Sequence, residues 1–372
     1  MRDETVLTRE RKDAKAGGVD GKKEPAASPV LGAQGISPGT YVEARLKQFH
    51  QVVEGDGSRR LIDMILSDLS QINNTLQTIV LNPAQEQQAT SQLRGQVAQF
   101  KNDARLMPPP FNSMLLQSSD SFENTIADDE YRRLNLAFQN QVYGACRDLT
   151  KDRYPFVRGA QTEIPPPVFG QLFGGGGVFD SFFKKNLEDY ADITQGDWKW
   201  RKKESPVANR MSDETLRQLQ RAERIKRAFF PSNGNTPMIP LTVTPPMLAG
   251  TGFIAKLWIN GAPITSSNQP GTPAPQPSQW TGAAGGKTLA SLERDPPNPR
   301  EAPSEVNGGT SSWALFRLLD KTGTKSLTPN GVTATWSLLG QPAVTFQITT
   351  QSLVNPFDPK LFTDFRCPAT LG

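Results

Sequence analysis

The stretch from Cys146 to Leu187 constrains the fold most, because a helical pattern ends there, passes through prolines and glycines, and restarts with aromatic residues. The Tyr154-Pro155 pair predicts the end of the incoming helix, since proline has no amide hydrogen to donate and disfavours the helical conformation of the residue before it. Prolines at 165–167 are expected to stiffen the connector, and glycines at 174–177 allow a bend that no β-carbon obstructs. These features predict a corner between two helices.

An apolar stripe follows the glycines. Phe179, Phe182, Phe183 and Leu187 recur at helical spacing, which predicts a helix with a buried aromatic face. The glycine run does not match a phosphate-binding loop, because such a loop continues with Gly-Lys-Ser/Thr, whereas residues 178–180 are valine, phenylalanine and aspartate. Nucleotide binding is therefore not predicted.

The size and composition of the chain predict several domains and no nucleic-acid partner. Its 372 residues are enough for two or three domains. The net charge of +4 arises from 41 basic and 37 acidic residues, so it reflects a small surplus and not a basic tract. The sequence contains neither an apolar run of about 18 residues nor a secretory signal. Taken alone, this predicts a cytoplasmic chain.

Helical periodicity dominates the chain up to residue 235. Residues 1–40 are charged or rich in Pro, Ala, Gly and Ser, and they are predicted to be a flexible lead-in. A helical domain is predicted over residues 41–235, and Ser212 is expected to cap its last helix. Apolar stripes indicate its helices at 41–49, 61–80, 91–100, 131–149 and 216–229.

After Asn235 the periodicity changes from helix to strand, and residues 236–372 are predicted to form a small β-sandwich. The prolines of Ile239–Pro245 favour an edge strand, and Asn260-Gly261 predicts a hairpin. Proline-rich loops are expected at 269–279 and 295–309, a short helix at 313–319, and paired strands at 332–338 and 343–348. The predicted fold class is α+β, with an N-terminal helical bundle followed by a C-terminal β-sandwich domain.

Catalytic and metal-binding patterns are missing from the sequence. His50 is the only histidine and lies in an amphipathic segment, so a Ser-His-Asp or Cys-His arrangement would depend on it alone. The two cysteines are 221 positions apart and lack CxxC spacing. Asp128 and Asp129 are expected to stabilise the start of a helix rather than to form an acid/base pair. We therefore predict no enzyme, no cofactor and no metal, and a cell-wall hydrolase is disfavoured for the same reasons.

A different class of function remains open from the residues alone. The helix after Ser212 carries arginines opposite its apolar stripe, with glutamates among them. A solvated face is the simpler interpretation. The alternative is a cytoplasmic protein- or nucleic-acid-binding adaptor that uses the Arg-rich helix and binds in a salt-sensitive way. The arginines are Arg217, Arg221, Arg224 and Arg227, and the glutamates are Glu214 and Glu223.

Several separated motifs resemble the C-terminal part of the IcmF/TssM family, whose members are inner-membrane core proteins of type VI secretion systems. The resemblance covers residues 41–372 and departs from the family at Gln279-Trp280, where a tryptophan-proline-glycine turn is usual. The matching motifs are Cys146-Arg147, Arg153-Tyr154-Pro155-Phe156, Phe173-Gly174 with Asp180-Ser181-Phe182-Phe183, the segment from Trp313 to Leu319, Asn355-Pro356-Phe357, and Phe365-Arg366-Cys367-Pro368.

The resemblance implies a binding role without catalysis. It implies that this region crosses the periplasm, that the membrane spans lie outside this chain, and that the protein docks the outer-membrane lipoprotein TssJ, meets the inner-membrane protein TssL and assembles with copies of itself. The related IcmF protein of type IVB secretion is the nearest competing identity. Because Cys146 and Cys367 both lie in family motifs and an even pair suits an oxidising compartment, a disulfide between them is expected. Two buried free cysteines are the alternative.

Overall fold

The fold is described from a computed structural model that covers residues 46–47, 49–50, 52–54, 60–82, 85–266, 270–338 and 343–372. The predicted lead-in over residues 1–40 lies outside these ranges. The predicted α+β fold class is confirmed: helices precede two antiparallel sheets. The division into domains at residue 235 stays a prediction.

Long helices form the first part of the chain. They are α1 (Leu61–Leu81), α2 (Glu86–Ala104), α3 (Phe111–Phe138) and α4 (Gly144–Thr150). A π-helical turn, Gln139–Tyr143, joins α3 to α4 without interruption. The expectation that a helix begins at Asp128-Asp129 is therefore wrong, because both residues lie inside α3. Apolar residues at 115, 122 and 126 pack against the first core and extend the helix towards its N-terminus.

A small apolar core joins α1, α2 and the first half of α3. Its buried residues include Ile65 and Ile72 of α1 and Val97 and Phe100 of α2, with Phe122 of α3 packed against them. Among the described residues, none beyond Ile126 belongs to this cluster. We call residues 60–126 the N-terminal unit and residues 127–372 the body.

The proline and glycine corner is more regular than its sequence predicts. Prolines at 166–167 do not merely stiffen a connector but begin the helix α5 (Pro166–Phe173). Proline suits the first helical turn because its missing amide hydrogen is unpaired there in any helix. The predicted aromatic helix is α6 (Val178–Asn186), and it is followed by a two-stranded ribbon of β1 (Ala191–Asp192) and β2 (Lys199–Trp200).

Glycine is needed between α5 and α6 mainly because another backbone segment, residues 233–235, lies very close to it, and less because the chain bends there. A β-carbon on Gly174 or Gly175 would lie 2.8 Å or less from the backbone of residues 233–235. Only Gly176 has a positive φ, +72°. The corner is thus pressed directly onto the segment that leads into the sheets.

Helix α7 (Asp213–Phe229) leads from the corner to the sheets. The predicted cap is present, since the Ser212 hydroxyl accepts a hydrogen bond from the Glu214 amide at 3.1 Å. The predicted inner stripe is buried, and it consists of Leu216, Leu219, Ala222, Ile225 and Phe229.

The C-terminal strands form two antiparallel sheets. The five-stranded sheet has the order β6-β3-β11-β10-β9, and the four-stranded sheet has the order β5-β4-β7-β8. The strands are β3 (Ile239–Thr244), β4 (Phe253–Ile259), β5 (Ala262–Thr265), β6 (Gln276–Trp280), β7 (Thr288–Arg294), β8 (Ser304–Gly309), β9 (Thr324–Thr328), β10 (Gly331–Trp336) and β11 (Val344–Thr350). Two short helices, α8 (Ala314–Asp320) and α9 (Lys360–Thr363), pack with them.

The sheets correct three sequence expectations. Strand β3 is not at an edge, because it pairs with both β6 and β11. Pro240 is tolerated because it is paired only with β6, and the pairing with β11 begins one residue later, at Leu241. The expected loop 269–279 contains β6, and the expected loop 295–309 contains β8. The predicted hairpin is present, with Asn260 at φ 47° and Gly261 at φ 87° between β4 and β5.

One core runs through the whole body. It includes Phe138 and Phe182 from the helices as well as Leu241 and Phe346 from the five-stranded sheet. The boundary proposed at residue 235 therefore divides secondary structure but not hydrophobic packing. Whether it also divides folding units is a prediction that limited proteolysis can test.

Candidate partner-binding surfaces and the motif cluster

The sequence motifs converge on an aromatic cluster around Trp313, at the start of α8. This indole is fully buried and donates from Nε1 to the Ile164 carbonyl at 2.8 Å. Its ring centroid lies 6.4 Å from that of Tyr154 and 5.4 Å from that of Phe169. Other rings within 6.0 Å of it belong to Phe229, Trp280, Phe316 and Phe362. These motif residues therefore hold helices and sheets together.

Phe156, next to Pro155, extends the cluster towards the C-terminal segment. Its ring stacks on Phe173 at 5.6 Å and meets Phe365 at 5.9 Å. Pro155 is buried, and its peptide bond to Tyr154 is cis. In the second motif, Phe182 packs on Phe138 at 5.4 Å. Phe183 is buried and contacts Trp198 at 4.8 Å, and Gly174 packs as described above.

Polar contacts fix the Tyr154 side of this cluster. The Tyr154 hydroxyl donates to Asp320 at 2.8 Å, and Arg317 lies 4.3 Å from the centre of the Tyr154 ring. Burial, together with the neighbouring Asp320 carboxylate, raises the pKa of Tyr154 above its ordinary value of 10.0. Arg317 also donates to Glu163 at 2.5 Å. Tyr154 is thus a neutral structural donor and not a candidate acid.

The two cysteines meet where the helical corner contacts the end of the chain. Cys146 of α4 and Cys367 are joined in a disulfide with a Cα–Cα distance of 5.8 Å. Cys146 is fully buried and Cys367 is half-buried. The Thr150 hydroxyl lies 3.3 Å from the Cys367 sulfur. The bond links two positions 221 residues apart in sequence.

The remaining motif residues close loops. The Asn355 amide donates to the carbonyls of Thr328 at 2.9 Å and Gly331 at 2.7 Å, so it clamps the turn between β9 and β10. Pro356 is buried next to it, and Phe357 is buried with its ring 5.7 Å from Phe316. Half-buried Arg153 lies in the turn after α4, where its amide donates to the Thr150 carbonyl.

Asp180 of α6 is the centre of a buried ionic network. Lys226 of α7 donates to it at 2.8 Å, Lys184 at 3.0 Å, and the Gly176 amide at 2.8 Å. Burial alone would raise the pKa of Asp180, but these three donors lower it from 3.8 to about 2. A carboxylate held so firmly is suited to locking α6 onto α7 rather than to proton transfer.

Three of the four arginines on the Arg-rich face of α7 have partners in the fold. Arg217 pairs with Glu214 at 2.6 Å, Arg227 with Glu223 at 3.1 Å, and Arg221 donates to the Asp364 carbonyl at 2.8 Å. These contacts favour the solvated-face interpretation over a nucleic-acid surface. Asp128 and Asp129 likewise serve as ion-pair partners, of Arg210 and of Arg132 respectively.

Two cavities are large enough to receive part of a partner. One, of about 360 Å³, lies at the end of the four-stranded sheet beneath the loop 295–303 and is lined by Phe253, Leu292 and three prolines. The other, of about 470 Å³, lies in the cleft between the N-terminal unit and the body and is lined by Arg94, Val97 and Tyr190 among others. The three prolines that line the cavity beneath the loop 295–303 are Pro297, Pro299 and Pro303.

Sequence reasoning did not identify Phe169, Glu163 or the position of Trp280 as parts of the cluster. Phe169 and Phe173 share one face of α5, so the spacing of four between them was an available signal. Glu163 is paired by the fold alone, since its partners Ser311 and Arg317 are about 150 positions away.

Within the described part of the chain, no group of three or more His, Cys, Asp or Glu side chains is placed to hold a metal ion. In the same residues, no helix combines the length and the apolar composition needed to cross a membrane.

Comparison with known proteins agrees with this architecture. The model of the type VI secretion protein IcmF C2-like domain matches residues 241–352. The type VI secretion system component TssM1 of Pseudomonas aeruginosa is 25% identical over 323 residues, which is 86% of this chain and 28% of that protein. The chain therefore spans less than a third of that relative's length.

Solved structures share the fold. The C-terminal domain of TssM from EAEC superposes with a TM-score of 0.52 at 18% identity, over 65% of this chain and 98% of that one. A chain of a type VI secretion system membrane core complex superposes with a TM-score of 0.60 at 17% identity, over 89% of this chain and 64% of that one.

The fold is that of the C-terminal domain of TssM, with helices followed by a C2-like sandwich. Residues 241–352 match the IcmF C2-like domain, and the chain as a whole is similar to the C-terminal region of TssM.

Proposed function

We propose that this chain is a non-enzymatic scaffold region of a type VI secretion membrane complex that lies in the periplasm and docks the outer-membrane lipoprotein TssJ. The match to the IcmF C2-like domain, the similarity to TssM1 and the likeness to membrane core complexes support the secretion role. In the complete complex the scaffold works with TssL and with further copies of the same protein.

The disulfide between Cys146 and Cys367 is the observation that carries the periplasmic location. Disulfides persist in oxidising compartments such as the bacterial periplasm and are rare in the cytosol. Here the bond connects the helical corner to the C-terminal segment across one continuous core. A molecule of this kind suits a rigid spacer between two membranes.

The cavity under the loop 295–303 is the docking surface that we favour for TssJ. It combines an aromatic floor, Phe253, with exposed prolines at 297 and 299, and it opens beside the charged side chains of Glu293 and Arg294. Rigid prolines lose little conformational entropy on binding, so they suit a permanent contact. The surface also lies on the C2-like part of the chain that defines the family match.

Binding of the full chain to the purified soluble domain of a TssJ lipoprotein tests this proposal. Replacing Pro297 and Pro299 by arginine should weaken binding by about tenfold or more, because two apolar contacts become charged. Ala262→Arg is the matched control, since Ala262 is exposed at the opposite end of β4. Binding unaffected by the proline substitutions would move the contact elsewhere, and absence of any binding by the native chain would contradict the proposed docking.

A further inference from the structure

A charged cavity of about 110 Å³ lies between helix α7 and the short C-terminal helix α9. Both walls belong to parts of the chain that are described without a gap, residues 85–266 and 343–372. The cavity shares no lining residue with the one assigned above to TssJ docking. Its lining residues are Arg221, Arg224, Asp358, Lys360, Leu361 and Asp364. Five of these six are charged, and only Leu361 is apolar.

Two of the three basic side chains in this cavity are unpaired. Arg224 makes no hydrogen bond or ion pair with any of the described residues, although the other arginines on its face of α7 have partners. The Lys360 ammonium also has no partner among the described residues, and only the backbone amide of Lys360 donates a hydrogen bond. Both side chains are exposed. They are therefore free to bind an anion.

The two carboxylates of the cavity are only weakly engaged. Asp364 accepts one long hydrogen bond, at 3.4 Å from the hydroxyl of Thr363. Asp358 accepts the backbone amide of Lys360 at 2.9 Å. Neither aspartate forms an ion pair with any side chain in the described part of the chain. Charges of both signs thus line one cavity without neutralising each other.

The fold brings these charges together from two helices. Arg221 donates from Nη1 to the Asp364 carbonyl at 2.8 Å, which holds α7 against the end of α9. Arg224 lies three residues further along α7 and therefore on the same face of the helix. Asp358 and Asp364 lie on either side of α9 (Lys360–Thr363), close to its two ends. Basic groups reach the cavity from both helices, and an acidic group flanks each end of α9.

This arrangement suits a small ligand that carries both charges. A phosphate would bring its negative charges close to two carboxylates, and a simple cation would meet three basic side chains, so both are disfavoured by repulsion. A zwitterion avoids both penalties, because its carboxylate can meet the basic groups while its ammonium meets an aspartate. Hydrogen bonds between ionised groups are stronger than neutral ones. The cavity is also much larger than the roughly 10–15 Å³ that one water molecule needs.

We propose that this cavity binds the amino-acid group of a small zwitterion, with its carboxylate on Arg224 and Lys360 and its ammonium at Asp364. Two sources present this group, namely a free amino acid and the diaminopimelate of a cell-wall peptide. The cavity itself does not depend on docking to TssJ. Only its access to cell-wall peptides rests on the proposed function, through the periplasmic location.

Binding of labelled alanine to the full chain, measured by equilibrium dialysis, tests the site. Arg224→Gln and Lys360→Gln should each weaken binding about tenfold or more, because each removes a hydrogen bond between ionised groups. Both side chains are exposed and unpaired, so circular dichroism should show an unchanged fold. Arg227→Gln is the matched control, since Arg227 is exposed on the same helix but does not line this cavity. No binding by the native chain, or equal weakening by Arg227→Gln, would overturn the proposal.

Ligands that lack one charge separate a zwitterion site from a simple anion site. N-acetylalanine keeps only the carboxylate and alanine methyl ester keeps only the ammonium, so each should bind about tenfold more weakly than alanine. Asp364→Asn should weaken the binding of alanine without weakening that of N-acetylalanine. Binding of N-acetylalanine as tight as that of alanine would show that the aspartates play no part, and the proposed ligand class would be wrong.

A cell-wall tripeptide that ends in meso-diaminopimelate distinguishes the two sources. Tighter binding than alanine, with the same loss in Arg224→Gln, assigns the cavity to cell-wall peptides. Equal or weaker binding than alanine assigns it to free amino acids. If neither the tripeptide nor alanine binds while TssJ still does, the cavity proposal fails and the docking proposal stands. If TssJ does not bind but alanine does, the reverse holds.

Discussion

The N-terminal unit and the body are stabilised in different ways. The body has one core in which rings from helices and sheets interlock around Trp313. The N-terminal unit has a smaller core, with polar side chains such as Asp68 and Thr75 buried in it and leucines exposed outside it. Buried polar atoms without a hydrogen-bond partner occur in both regions, for example Ser119 Oγ in the N-terminal unit and Thr328 Oγ1 in the body. The comparison teaches that one continuous core holds the body, whereas the N-terminal unit rests on a separate and smaller core.

The largest expected effect is the loss of stability when a buried ring is truncated, and it should differ in extent between the two regions. Trp313→Ala should destabilise the body by about 3–5 kcal/mol, because it removes the ring on which helices and sheets meet. Phe100→Ala removes an equally buried ring of the N-terminal unit. Hydrogen exchange should show lost protection on both sides of residue 235 in the first variant and only within residues 60–126 in the second. Loss confined to residues 236–372 in Trp313→Ala would make the sandwich an independent folding unit.

Removing the disulfide should have the next largest effect, and only on the body. The double variant Cys146→Ser, Cys367→Ser should lose about 2–4 kcal/mol of unfolding free energy, because the unfolded chain regains freedom over a long loop. Denaturant unfolding followed by tryptophan fluorescence and circular dichroism should still give one transition for the body, since its core spans both halves. Adding reductant to the double variant is the control and should change nothing. Two separate body transitions would show that the bond, not the core, couples the halves.

Stability should respond to pH with opposite signs in the two regions. Burial, then the hydrogen bond and charge of Asp103, raise the pKa of Asp68 from 3.8 to about 6. A raised folded pKa means that the stabilisation is complete below the unfolded pKa near 4 and is lost as pH rises through about 6. The N-terminal unit should thus weaken by about 2 kcal/mol between pH 4 and pH 7.

Asp180 gives the opposite sign in the body. Its pKa is lowered to about 2, so its stabilisation is present above pH 4 and is lost as pH falls towards 2. Hydrogen exchange at pH 7, pH 4 and about pH 2.5, corrected for intrinsic rates, resolves the two regions: the first interval tests Asp68 and the second tests Asp180. Asp68→Asn should abolish the pH dependence of the N-terminal unit and leave that of the body unchanged. A pH dependence that survives in Asp68→Asn would assign it to another group.

The smallest effect is expected on the arginine face of α7. Arg217→Ala and Arg227→Ala should each change stability by no more than about 0.5 kcal/mol, because both arginine side chains are more than half exposed to solvent. Neither the native chain nor these variants should bind duplex DNA at physiological salt. Salt-sensitive DNA binding that the variants lose would revive the adaptor alternative.

Local chemistry determined how much could be predicted from sequence. The hairpin at Asn260-Gly261 and the cap at Ser212 were predictable because each depends on neighbouring residues alone. The helix that begins at Pro166 was missed because consecutive prolines also fit an extended connector. Strands β6 and β8 were missed because their prolines and glycines are typical of loops, and only pairing with β3 and β7 makes them strands.

In the candidate site, too, features that depend on neighbouring residues were predictable and features that depend on distant residues were not. The aromatic motif residues were identifiable, but their convergence on Trp313 depends on contacts across about 150 positions. Asp128 was expected to stabilise the start of a helix, although it pairs with Arg210 from a distant segment. A pattern of two acids does not reveal a partner 82 positions away.

The disulfide also has a mechanical consequence. A tensile load that enters through α3 and leaves after Cys367 would pass through the bond instead of through the 221-residue span it closes. Fully stretched, that span would lengthen the molecule by roughly 700 Å, at about 3.3 Å per residue. With the bond intact, the chain between residues 146 and 367 cannot extend, so the sandwich carries no tension along this path. In single-molecule pulling, with handles attached before residue 146 and after residue 367, the extension of the 221-residue span should appear only under reducing conditions.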